Sequence, residues 1–238
     1  MMKLPILISV PHAGFEMPSE VEEYNLLTQE EMICDGDEGA SEIYAIESQV
    51  QAYVSTVMAR AFVDVNRSVN DRGRDGVVKT HTCWDIPIYM SPLPEDLIQA
   101  MISKYYQPYH DKLTFFASEV KFGIDCHTMS EIAPPISRDS GQERPLVCLS
   151  NAEGTFPVDW LKIMKDCFQQ SFQAEISLNR PFKGGYIIQA HTAEMPWVQV
   201  EISRTDHLDN EEKKKKFLCT IEKFYSIIDD YKTGQFGQ

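Results

Sequence analysis

The chain lacks any apolar run approaching the ~20 residues that a membrane-spanning helix needs, which excludes an ordinary helical membrane protein. It is also short of positive charge: 22 Lys and Arg face 36 Asp and Glu, for a formal net charge of -14. A surface this acidic repels polyanions and argues against nucleic acid or an anionic membrane as partner. The one basic cluster, Lys213 to Lys216, follows Glu211 and Glu212 on an expected helix, where opposite charges three and four apart support each other on a solvated face. The cysteines (Cys34, Cys83, Cys126, Cys148, Cys167, Cys219) show no CxxC spacing, so they read as reduced core thiols rather than a disulfide framework or a thiolate zinc cluster. Met1 to Pro5 is too short to hold the charged and apolar regions of a signal peptide, and a cytoplasmic location is the expectation. No repeat, low-complexity stretch or linker interrupts the 238 residues, which at 43% hydrophobic and 24% charged suffice for one α/β domain over 1–238.

Strand-like and helix-like segments alternate along most of the length, the pattern of a mostly parallel sheet covered on both faces in an α/β/α arrangement. Strands are expected at Pro5 to Val10, Ala61 to Asn66, Phe122 to Cys126, Pro145 to Ser150, Gly185 to Ala190 and Trp197 to Ile202. A hairpin-like loop, His191 to Pro196, joins the last two. Helical spacing is read over Glu42 to Arg60, over Pro94 to Lys121 with Pro108 kinking or dividing it, and over Val158 to Phe172. A C-terminal helix begins near Asp209, which forms a capping-box spacing with Glu212. Asn70 to Gly76 and Pro134 to Arg144 read as loops.

Two histidines, His12 and His127, each follow an apolar strand-like run. In open α/β sheets ligands and metals collect beyond the carboxyl ends of strands, so the two can converge although they are distant in sequence. Taken singly, each imidazole is as well explained by a structural role. A catalytic zinc usually takes three ligands from His, Asp and Glu and leaves a fourth position open. Asp37 and Glu16 are the candidate third ligands; Asp37 is equally a helix cap. Glu201 interrupts an apolar run and shares parity with Gln199. It is either a general base or the solvent face of an edge strand. Arg67 follows Asn66 and has the planar fork to hold a substrate carboxylate, or it pairs with Asp64 or Asp71. Arg180 to Gly185 puts two cations, Arg180 and Lys183, beside adjacent glycines, as in a ligand loop or a tight turn before a strand.

Together, Ile8 to Gly14 with Pro18, Asp35-Gly36-Asp37, Val63 to Arg67, Gln107 to His110, Asp125-Cys126-His127, Phe182 to Ile187 and Gln199-Val200-Glu201 resemble, in order, the N-formylglutamate amidohydrolase family. The resemblance implies a zinc enzyme of phosphorylase/hydrolase-like α/β/α fold, distantly similar to zinc carboxypeptidases. Carried over by position, His12, Asp37 and His127 resemble the ligands of one Zn2+, Glu201 the base, and Asn66-Arg67 the anchor of a substrate carboxylate. The carboxypeptidase spacing would place a carboxylate ligand where this chain has Phe15. Glu38-Gly39 stands where many members have an aromatic residue and a histidine, and the loop Ser68 to Thr80 is unusually charged. The resemblance implies hydrolysis of an N-acyl amino acid, by default N-formyl-L-glutamate, held by Arg67 with Arg180 or Lys183. The rival readings are a zinc carboxypeptidase or amidase acting on a peptide-like substrate, and a non-catalytic binding protein of the same fold, which would have lost a key position.

Overall fold

Six strands form one mixed sheet in a computed structural model that describes residues 3–233, with side chains through 230. In chain order the elements are β1 (Leu4–Val10), a 3-10 turn (Ser19–Val21), α1 (Gln29–Asp35), α2 (Ala40–Ile43), β2 (Val50–Ser55), α3 (Glu95–Met101), a π-helical turn (Ile102–Tyr106), α4 (Gln107–Ala117), β3 (Gly123–Met129), β4 (Val147–Ser150), α5 (Val158–Phe172), β5 (Ile176–Leu178), α6 (Tyr186–Ala190), β6 (Trp197–Ser203) and α7 (Asn210–Thr233). The strand order is β2-β1-β3-β6-β4-β5. β2, β1, β3 and β6 run parallel; β4 is antiparallel to β6 and parallel to β5. One face is packed by apolar residues of α2, α5 and α7, and the other by α3, α4, α6 and the irregular segment around residues 59–88. This is the three-layer α/β/α architecture with a mostly parallel sheet that the alternation of elements implies.

Several segments fold differently from their sequence reading. Val50, Tyr53, Val54 and Met58 match a helical period, yet 50–55 is the edge strand β2, whose burial alternates between Val50, Ala52, Val54 and their exposed or half-buried neighbours. A short run of this composition satisfies both periods, and pairing with β1 decides it. Ala61 to Asn66 is buried throughout but is a chain of turns, because Phe62 and Val63 donate to the Ala59 carbonyl and Asn66 N–H turns back onto the Asp64 carboxylate at 2.8 Å. Tyr186–Ala190, read as a strand, is the short helix α6. Its entry is fixed by Asn66 Oδ1, which accepts the Ile187 N–H at 2.8 Å. The three-residue β5 gave no periodic signal. Pro108 falls in the first turn of α4, where its missing donor is tolerated, and the π-helical turn just before it absorbs the register change. β3 extends to Met129, which puts His127 inside the strand rather than after it.

The cysteines divide: Cys126, Cys148 and Cys167 are buried, whereas Cys34 and Cys219 are exposed. The lysine run also divides, since Lys213 is buried and donates to the Thr205 carbonyl at 2.9 Å while Lys215 and Lys216 pair with Glu211 and Glu212. Asp209 Oδ1 accepts the Glu212 N–H at 2.7 Å, as its capping position requires. No helix among the described residues is long and apolar enough to cross a membrane.

His110 ties α4 to the turn after α6. Its Nε2–H donates to the Val65 carbonyl at 2.9 Å, and its Nδ1 lies 2.8 Å from Nε2 of His191, whose other ring nitrogen is 2.9 Å from the Glu194 carboxylate. Burial, with the His191 ring beside it, pushes the His110 pKa down to about 4. An unfolded histidine titrates near ~6.5, so below that pH the unfolded chain binds a proton that the folded chain refuses. The contribution is therefore fully present above pH ~6.5 and lost as pH falls towards about 4, an effect of ~3 kcal/mol. Urea unfolding of wild type and His110→Gln at about pH 7.5 and about pH 4.5 should show wild type losing ~2–3 kcal/mol more than the variant on acidification. Parallel losses in both proteins would assign the acid sensitivity elsewhere.

Candidate metal centre

Strand parity builds the floor of the site. Ile6, Ile8 and Val10 of β1, Ile124 and Cys126 of β3, and Val198, Val200 and Ile202 of β6 enter the core on the α5 and α7 side. Alternation then turns Ser9, Asp125, His127, Gln199 and Glu201 to the opposite face. Register places Ser9 beside Asp125, Asp125 beside Gln199, and His127 beside Glu201. β6 lies between β3 and β4, and Gln199 and Glu201 are only 3% and 5% exposed, so they are not the solvent face of an edge strand.

His12 stands two residues beyond β1 and Asp37 lies between α1 and α2, with the Asp37 N–H donating to the His12 carbonyl at 3.2 Å. Close approach of the chain at Gly14, where a Cβ would stand 2.2 Å from the Val57 backbone, sets the path beyond His12. Asp37 Oδ2 is 2.9 Å from His127 Nδ1 and 3.5 Å from His12 Nδ1. One ligand atom from each of the three residues lies within 4.8 Å of the others, and all three residues are buried. Glu16 is exposed, its backbone bonded to the chain around Val57 and Ala59, and it is not among the residues lining this cavity.

Each imidazole is held from behind by a carboxylate: His12 Nε2 lies 2.8 Å from Asp64 Oδ1, and His127 Nε2 lies 2.8 Å from Asp125 Oδ2. Asp64 is in turn held by Arg60 Nε at 3.2 Å, and Asp125 by Ser9 Oγ at 2.9 Å. His12 Nδ1 is buried and has no hydrogen-bond partner. An orphaned imidazole nitrogen aimed at a second imidazole and a carboxylate, with both outer nitrogens on carboxylates, has the donor set and support that metal-ligating histidines carry. The residues present therefore fit a divalent cation.

The electrostatics agree. Burial works against charge on Asp37, but the His12 and His127 rings beside it hold its carboxyl far below the usual range. For His127, burial opposes protonation and is outweighed by Asp125, Asp37 and Glu201, which raise the imidazole well above its ordinary value. Burial pushes Glu201 up to about 7, with Asp37 adding and His127 opposing. Gln199 fixes Glu201: its Oε1 accepts the Gly185 N–H at 2.5 Å and its Nε2 donates to Glu201 Oε1 at 2.8 Å. Glu201 Oε2 takes no hydrogen bond among the described residues.

His12, Asp37, His127 and Glu201 line one cavity of about 610 Å³, in the range of small-molecule sites. Asn66 and Arg67 also line it, but both are engaged internally. Asn66 Nδ2 is 3.4 Å from Asp125 Oδ2 and 3.2 Å from His127 Nε2. Arg67 donates from Nε and Nη2 to the carbonyl and carboxylate of Asp75, at 2.8 and 2.6 Å, and lies 3.7 Å from Asp64; Asp71 is not its partner. Lys183 is at the rim and largely exposed, and Arg180 is exposed and outside the lining. Sequence reading offered Asp64 only as a partner of Arg67, from which it lies 3.7 Å, and gave no role to Asp125, Arg60 or Arg204. The i, i+2 spacing of Asp125 and His127, which puts both on one strand face, was the available signal for Asp125. If Asp64 orients a ligand, Asp64→Asn should weaken metal binding ~10–100-fold, read by competition with a chelator; an unchanged affinity would leave Asp64 with only a structural part.

Residues 4–207 match the family model described as N-formylglutamate amidohydrolase. Among solved structures, the chain is similar to an N-formylglutamate amidohydrolase from Ralstonia eutropha JMP134, with 18% identity, a TM-score of 0.78 and coverage of 98% of this chain and 95% of that one. It is also similar to a gene product of Agrobacterium tumefaciens, with 16% identity, a TM-score of 0.71 and coverage of 94% and 91%. At these identities the structural likeness speaks to the fold alone. Comparison with curated proteins returned no match.

Proposed function

The chain belongs to the N-formylglutamate amidohydrolase family, and from that premise we propose that it is a zinc-dependent amidohydrolase cleaving the amide bond of an N-acyl amino acid, N-formyl-L-glutamate by default. The observation that carries this is the buried His12, Asp37 and His127 trio, with its orphaned His12 nitrogen, beside a fixed glutamate in a closed-backed cavity. His12 Nδ1, Asp37 Oδ2 and His127 Nδ1 would hold the metal. Two nitrogens and one oxygen suit zinc, which when bound supplies Lewis acidity for the scissile carbonyl and acidifies water.

The remaining steps belong to the chain's own groups. Glu201, held by Gln199 through one oxygen, takes the proton of the attacking water on the other and passes it to the departing amine nitrogen. Asp64 and Asp125 keep both imidazoles with Nδ1 towards the centre. Lys183, in the lining at the rim, makes only an exposed 3.8 Å pair with Glu153 and can turn to a charged group of the substrate. None of the four central positions is lost, which disfavours a non-catalytic binding protein. A cavity of about 610 Å³ leaves room beyond an acylated amino acid, and this volume favours a peptide-like substrate with a free carboxylate as the second reading.

The test is a panel of N-formyl, N-acetyl and short N-acyl-peptide substrates with formate, acetate or free amine measured. The proposal expects at least one N-acyl amino acid to be cleaved. Cleavage confined to peptides would select the peptidase reading, and no hydrolysis by zinc-loaded protein would contradict both.

A further inference from the structure

The cations lining the cavity are not equivalent. Arg60 is bonded to Asp64 and lies 3.9 Å from Asp37. Arg67 is closed by Asp75, and its Nη1 donates to the Asn66 carbonyl at 3.2 Å. Arg144 is gripped by both oxygens of Asp139 at 2.8 and 3.0 Å and is stacked on Phe182. Lys183 leans on Glu153 at 3.8 Å. Arg138 and Arg204 are left, and among the described residues neither has a carboxylate within 4.0 Å. Arg138 is exposed on the 130–144 loop, whereas Arg204 is half-buried.

Arg204 is also rigidly placed. Its N–H donates to the Met129 carbonyl at 2.8 Å, at the carboxyl end of β3, and it stands three residues beyond Glu201 at the end of β6. Its Nη1 donates to the Gly36 carbonyl at 3.2 Å, next to Asp37. A guanidinium carries five N–H donors, and no other donor of Arg204 is engaged among the described residues. A half-buried cation without a counter-ion, in a chain of net charge -14, is a site waiting for an anion.

We infer that Arg204, not Arg67, is the specificity-determining residue that takes the free carboxylate of the substrate, with Arg138 approaching from the loop above. Asp75 already occupies the place at the Arg67 fork that a substrate carboxylate would take, and it also lies 3.0 Å from the buried Lys79. Displacing it would break two ion pairs; occupying Arg204 breaks none. The inference rests on the proposed hydrolysis of an acylated amino acid or peptide.

The experiment compares wild type, Arg204→Gln, Arg204→Lys and Arg67→Lys as zinc-loaded full chains, on the best N-acyl amino acid and on its carboxamide. Arg204→Gln should raise KM for the acid by ~10-fold or more and change the carboxamide by less than ~2-fold, with Arg204→Lys intermediate on the acid only. Arg67→Lys should lose equally on both. Equal or absent losses for Arg204→Gln, or a loss confined to the acid for Arg67→Lys, would overturn the assignment. Because Arg204 bonds the Gly36 carbonyl, zinc content is measured for each variant, and the Lys variant decides if the Gln variant loses metal. If wild type hydrolyses no acyl amino acid, the functional reading has failed while the site remains testable by calorimetry with glutarate. Binding weakened ~10-fold by Arg204→Gln and unaffected by Arg67→Lys would uphold it, and equal binding by all four would reject it.

Discussion

His127→Gln is expected to lose the metal and turnover together while keeping the fold. Glutamine approximates the volume of the imidazole inside β3 and can still donate to Asp125, but it offers no ring nitrogen to the centre. Four-ligand zinc sites bind with ~10–16 kcal/mol, which implies ~3 kcal/mol or more for each ligand and on the order of 10²-fold or more in affinity for losing one. Metal analysis and circular dichroism on the same sample check it. Full occupancy with full turnover in the variant would remove His127 from the ligand set. Loss of the fold would show instead that the ring is held chiefly for the ion pairs it makes with Asp37 and Asp125.

Glu201→Gln should behave in the opposite way, retaining zinc and fold but lowering turnover by ~10²-fold or more, the scale of losing a general base. The substitution preserves shape and removes only the capacity to take a proton. The pH profile adds a second signature. A base must be ionised to act, so activity falls on the acid side of its pKa. Burial pushes that pKa up to about 7 in the metal-free chain, and a bound cation beside it favours the carboxylate and moves it lower. The acid limb of kcat/KM should therefore lie at or below pH ~7 in wild type and vanish from the residual activity of the variant. A variant that loses its zinc would make Glu201 a ligand. Unchanged turnover would remove it from the chemistry.

Legibility in the sequence followed the length of the periodic signal. β1, β6, α5 and α7 carry long apolar patterns with distinct turns around them and were readable, whereas β2 and α6 are five or six residues long and fit either period. Ala61 to Asn66 is apolar enough for a strand, but the Asp64 carboxylate captures the backbone locally, an effect that composition does not report. The histidines stood out because imidazoles are poor core residues. Asp37 stood beside Glu16 as a candidate ligand, and resemblance to a family chose between them, since the distance of Asp37 from both rings depends on a loop path. Asp125 left the i, i+2 spacing to His127 on one strand face, but Asp64 meets His12 only through the loops beyond β1 and β2, and Arg204 is distinguished only by the carboxylates it lacks. The last two features exist in three dimensions and leave no spacing behind.

The most direct measurement is a zinc titration of the metal-free chain, with bound metal per chain and amide hydrolysis followed on the same samples. Turnover should rise in proportion to bound zinc and level off at one ion per chain, and His12→Ala, Asp37→Ala and His127→Gln should each abolish both. Full hydrolysis by chain stripped of metal, or zinc bound stoichiometrically by all three variants, would contradict a catalytic centre built on His12, Asp37 and His127.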